Sequence, residues 1–141
     1  MKIKCLLPFV ISSVCFAHGE DKPGPHKGFI RMPGNYHTEV VADNNNTLKV
    51  YLLDIKWKNP SVKQSKVKAT HKTDAKSTKA MCLAGKDHYI CTFAKSIDLT
   101  KPAELIIESQ REGQKGTDAV YPLPLKLEKV NTGQNEHGGH H

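Results

Sequence analysis

The apolar residues of this chain alternate with polar ones in short runs. In residues 47–54, Leu48, Val50 and Leu52 share one side of a two-residue repeat, and Tyr51 and Leu53 make the other side partly apolar. A strand apolar on both sides belongs in the middle of a sheet. Residues 28–32 predict a short strand stopped by Pro33-Gly34, and residues 36–42 a second one. Asp43 to Asn46 is a turn, because Asp and Asn tolerate positive φ. Residues 55–62, with Trp57 and Pro60, read as a connection or an edge segment. Residues 65–73 alternate again, with Val67 and Ala69 on one side. Residues 79–83 and 88–93 form a hairpin around Ala84-Gly85-Lys86-Asp87, and residues 102–110 another strand. Residues 111–117 are polar, with two glycines, and read as a loop. Residues 118–127 are the last strand, confined to an edge because Pro122 and Pro124 lack ladder donors.

No segment carries a sustained apolar stripe at the helical period. About seven or eight strands with turns every 8–12 residues or so predict an all-β fold, an antiparallel β-sandwich of immunoglobulin-like or cupredoxin-like kind. From residue 131 onward the chain has no apolar residue to bury and reads as a disordered, His-rich tail.

The first residues differ from the rest. Lys2 and Lys4 precede an apolar run from Cys5 to Val14, and Cys15-Phe16-Ala17 offers a cleavage site. This is the pattern of a secretory signal peptide over residues 1–17, too short for a membrane span of roughly 20 residues. A lipidated Cys15 is the alternative, disfavoured by the Ser13-Val14 that precedes it. The expected domain is residues 18–130, with residues 131–141 as tail and a periplasmic or secreted location. Its net charge falls from +7 to +5 without Lys2 and Lys4. The lysines concentrate between Lys56 and Lys79, but aromatics are only 6% of the chain. Nucleic-acid binding needs a basic stripe interleaved with aromatics, so a solvated face is the better reading. No other apolar run predicts stable membrane insertion.

Cys5 and Cys15 fall within the leader, which leaves Cys82 and Cys91. If Ala84 pairs with Tyr89 in the hairpin, Cys82 faces Cys91, and directly opposed cysteines can close a disulfide. In an oxidising compartment that reading leads. The alternative is a two-thiolate metal site with His88.

Three of the eight histidines stand early in the exported chain, at His18, His26 and His37. Cleavage after Ala17 would put the His18 imidazole beside a free α-amine, a chelating pair that suits Cu(II). His26 and His37 flank the predicted strand 28–32 and its turn, so a hairpin would bring them together, with Glu39 two residues further along. Met32 could add a thioether, and imidazole with thioether favours copper. The alternative is a strand histidine bonded to backbone and a loop histidine in solvent. His137, His140 and His141 form a terminal His-rich tract of metal-capturing composition. His71 and His88 read as incidental scaffold.

The runs Pro25-His26-Lys27-Gly28, Tyr36-His37-Thr38-Glu39-Val40-Val41 and Leu48-Lys49-Val50-Tyr51-Leu52-Leu53-Asp54 resemble a small domain of bacterial periplasmic heavy-metal proteins. That domain shows a His-Gly-Gly run, a Tyr-His-x-Glu-Leu strand and a strand ending in Tyr-Leu-x-Asp. It occurs alone and beside metal-efflux adaptor proteins. The likeness covers residues 24–54, about a quarter of the chain, with Lys27 where the first glycine is usual. It implies that His26, His37 and Glu39 are functional. A terminal histidine ahead of a β-sandwich is also similar to the periplasmic copper-resistance carriers, on His18 and fold class alone.

These readings converge on a metal-binding protein that buffers or carries an ion, copper in the first place and another divalent transition metal otherwise. Its partners would be the ion and a metal-efflux or envelope protein. A non-metal accessory module of the envelope is the rival. An enzyme is not expected, since no Ser-His-Asp set or glycosidase carboxylate pair can be placed. Mass spectrometry of the exported protein checks the leader reading: the expected chain begins at His18 and lacks the mass of two hydrogens for Cys82–Cys91.

Overall fold

The computed structural model describes residues 22–126. The expected leader, His18 and the C-terminal tail with His137, His140 and His141 lie outside these residues. Ten strands run β1 (Phe29–Arg31), β2 (His37–Asn44), β3 (Thr47–Leu53), β4 (Lys66–Lys72), β5 (Ser77–Lys79), β6 (Met81–Ala84), β7 (Tyr89–Thr92), β8 (Ala103–Arg111), β9 (Gln114–Lys115) and β10 (Ala119–Leu123). All pairings are antiparallel. Sheet A has the order β1-β2-β3-β7-β6 and sheet B the order β10-β8-β4-β5, with β9 hooked onto β8. The architecture is a two-sheet antiparallel β-sandwich. No helix among the described residues is long and apolar enough to cross a membrane.

The apolar alternation accounts for the layers. Val40, Leu48, Val50, Leu52 and Cys91 of sheet A meet Val67, Ala69, Leu105, Ile107 and Tyr121 of sheet B in one buried cluster. Two tyrosines join the layers through polar atoms. Tyr36 donates its hydroxyl to the Ser109 carbonyl at 2.9 Å. Tyr121 donates to the Thr38 carbonyl at 3.1 Å and lies 2.6 Å from the Thr38 hydroxyl. These bonds satisfy phenols that would otherwise be stranded in an apolar interior.

Strand β3 lies at the centre of sheet A, as its two apolar sides require. The outer side is covered too: Ile30, Tyr51 and Leu53 form a second buried cluster, packed against Val41 and Trp57. Strand β10 is at an edge of sheet B, where Pro122 costs no ladder bond.

Two expectations are refined. The single strand expected at residues 79–83 is shared between sheets, as β5 in sheet B and β6 in sheet A. The Ala80 N–H bonds to Ala69 at 2.9 Å where the chain crosses over. The loop expected at residues 111–117 contains a tight hairpin. Glu112 (φ 47°) and Gly113 (φ 84°) both adopt positive φ, which closes β9 onto β8. The strand count rises from about eight to ten for these two reasons.

The hairpin cysteines behave as counted. Cys82 pairs with Cys91 in the β6–β7 register and is bonded to it, nine residues away in sequence. A disulfide belongs to an oxidising compartment. Replacing both cysteines by alanine should lower unfolding free energy by about 2–4 kcal/mol, for a loop of this size. Denaturant unfolding of the double variant checks it, and a change below about 0.5 kcal/mol would contradict it.

Candidate functional site

The outer face of sheet A carries a row of polar and aromatic side chains across three strands. Glu39 on β2 pairs with Tyr51 on β3, and Tyr89 on β7 pairs with Val50, so His88 comes next to Tyr51 on the far side. Residues 22–28 fold back over β2 and bring His26 onto the near side of Tyr51. The Gly24 N–H bonds to the Gly28 carbonyl and the Lys27 N–H to the Gly24 carbonyl, each at 2.9 Å, which closes this segment into a turn.

Glu39 anchors the turn. Its side chain is fully buried. One carboxylate oxygen accepts the backbone N–H groups of His26 at 2.8 Å and Gly28 at 3.0 Å. The other lies 2.7 Å from His26 Nδ1. Such an arrangement requires glycines. A Cβ on Gly24 would overlap the Glu39 carboxylate, and one on Gly28 would sit 2.6 Å from the Val40 carbonyl oxygen. Lys27 adopts φ 63°, a left-handed conformation at the position where the resembled run has glycine.

The His26 ring lies flat on Tyr51, with centroids 3.7 Å apart and planes 7° apart. On the other side His88 stacks on the same ring at 4.9 Å and 29°. His88 Nδ1 is 2.7 Å from the Asp87 carboxylate. The row therefore reads Glu39, His26, Tyr51, His88, Asp87: two carboxylate-held imidazoles flanking one phenol. Nδ1 donates to the carboxylate in each pair, which leaves Nε2 as the ring nitrogen not tied to an acid, and both side chains remain partly exposed, at 33% and 21%. Asp87 is held below the usual aspartate range, chiefly by its hydrogen bond to His88. Burial pushes the Tyr51 phenol up, and the negative charges of Asp87 and Glu39 push it further, so it stays neutral at ordinary pH.

His37 is placed elsewhere. It is buried, with Nδ1 3.1 Å from the Asp54 carbonyl oxygen and its ring edge-on to Trp57 at 5.8 Å. Asp54 shapes this loop by accepting the Lys56 and Lys58 N–H groups at 2.9 Å and the Asn59 amide at 2.8 Å. The Lys58 and Asn59 bonds are also what chiefly hold its carboxyl below the usual range. The expected joining of His26, His37 and Glu39 is thus not formed. Among the described residues no three His, Cys, Asp or Glu side chains gather into a metal-binding group. The physical reason is that Glu39 is consumed by the turn and His37 by the Asp54–Trp57 loop. Met32 is 55% exposed at the end of β1. Cys82 and Cys91 are disulfide-bonded, which removes the thiolate alternative with His88. His71 is a buried residue of sheet B, edge-on to Phe93 at 6.1 Å.

Sequence reasoning missed Tyr51, Asp87 and His88 as members of this row. The adjacent Asp87-His88 pair was a signal, but its partner Tyr51 depends on the β3–β7 register, which no local pattern reveals. Compared with known proteins, the chain matches no family model, no curated protein and no solved structure.

Removing the anchor should loosen the whole turn. Glu39→Ala leaves two N–H groups and an imidazole without their acceptor, and is expected to cost about 2–4 kcal/mol. Gly24→Ala should act in the same direction by pushing the turn off the carboxylate. Chemical denaturation of both variants checks this; wild-type stability in either would contradict it.

Proposed function

We propose that this chain is an exported metal-binding protein, taking a divalent transition ion with copper favoured, and that His26 Nε2 is its ligand on the sandwich. The observation that carries the reading is the 2.7 Å contact between His26 Nδ1 and the buried Glu39 carboxylate. Histidines that bind metal commonly have their other nitrogen held by a carboxylate, which fixes the tautomer and raises ligand basicity. Glu39 then acts as the positioning residue behind His26. Imidazole nitrogen suits copper, which leads the divalent affinity order. The disulfide, the leader pattern of residues 1–17 and the resemblance over residues 24–54 support export to the periplasm and a role in buffering or carriage, beside a metal-efflux or envelope partner.

One imidazole does not make a tight site. Further donors are sought in His18 with its α-amine and in His137, His140 and His141. Calorimetric titration of Cu(II) into the exported protein tests the proposal. Saturable binding is expected. His26→Gln should weaken it at least tenfold, and Glu39→Gln by about 10–100-fold. His18→Ala and the triple tail variant report the outer donors. Absence of saturable binding contradicts the proposal.

A second reading, an accessory module that docks a partner protein, is favoured by one observation. Met81, Leu83 and Ile90 are exposed by 69%, 63% and 40% on the β6–β7 hairpin. Binding that survives a chelator would separate this reading from the first.

A further inference from the structure

We infer that His88 is a second metal-binding imidazole, the counterpart of His26 across the Tyr51 ring, so that the outer face of sheet A takes two divalent ions. The inference rests on the metal-binding reading of His26 and extends it to a residue outside the turn. Three observations carry it. His88 repeats the feature that marks His26, a carboxylate 2.7 Å from Nδ1. Its ring is pinned rather than free, between Asp87 and the face of Tyr51. Its backbone is rigid as well: the His88 carbonyl accepts the Gly85 N–H at 2.7 Å, and the disulfide ties the hairpin below it. A surface imidazole fixed on these sides has already given up the side-chain freedom that ligation would otherwise remove.

The two imidazoles cannot share an ion as they stand. Tyr51 occupies the space between them, and a metal needs its nitrogens within about 2.1 Å. Each ring therefore holds its own ion, His26 together with the outer donors named above and His88 with water completing the coordination. With a single imidazole, His88 is the exchanging site, which suits loading and release. The two dications repel, so the second ring responds at higher metal than the first, and added salt narrows the gap.

Zinc(II) is the probe, because it is diamagnetic and takes the same nitrogen ligands. Ring 15N spectra of the full chain, recorded at rising zinc, should show Nε2 of both His26 and His88 moving on coordination while both Nδ1 stay protonated. His88→Gln should remove one response and leave that of His26. Asp87→Asn should keep the His88 response but shift it to about 10–100-fold higher zinc. A silent His88 in a titration where His26 responds overturns this inference and leaves the reading of His26 standing. Coordination of His88 through Nδ1 overturns it as well. If both rings stay silent, both readings fall.

Discussion

Glu39 lies on a strand of the sandwich with no exposure to water, and an uncompensated carboxylate there would cost several kcal/mol. The donors that meet it are two backbone N–H groups and one imidazole, and all three come from the turn at residues 22–28. That requirement fixes where the turn lies. It also fixes the two glycines, since neither Gly24 nor Gly28 has room for a Cβ against β2. Once the turn is down, His26 has nowhere to go but onto the face of Tyr51. The candidate site is thus a consequence of burying one acid rather than an addition to a finished surface.

The same constraint explains why sheet A is covered on both sides. Its inner face packs on sheet B in the ordinary manner of a sandwich. Its outer face would be open without the turn on one side and the Asp54–Asn59 loop on the other. These two segments bury Ile30, Tyr51 and Leu53, and the loop places Trp57 edge-on to His37. Asp54 organises its loop as Glu39 organises the turn, by accepting several N–H groups at once. Two histidines of the outer face are sorted by these two acids: His26 is left with a free nitrogen at the surface, and His37 is sealed beneath.

Local patterns were enough for the strands, the central place of β3, the edge place of β10 and the Cys82–Cys91 pairing. Each depends on alternation, a proline or a short hairpin, all of which act within a few residues. The switch of one strand between sheets at Ala80 was not legible, because Ala80 to Leu83 is a continuous apolar run with no turn residue to mark a crossing. The Glu112-Gly113 turn was hidden because Glu is an unusual residue at positive φ. At the site, the prominence of His26 and Glu39 was legible, but their relation was not. Proximity in a hairpin suggested fellow ligands, whereas burial makes Glu39 the acceptor that holds His26. His88 joined the row only through long-range pairing of β7 with β3.

Glu39 fixes the His26 ring so that its neutral form carries the proton on Nδ1 and the lone pair on Nε2. The 15N spectrum of the His26 ring in metal-free protein, followed with rising pH until the ring is neutral, reads that tautomer. A protonated Nδ1 in slow exchange and an unprotonated Nε2 are expected. A ring protonated on Nε2, or one averaging freely between tautomers, would contradict it.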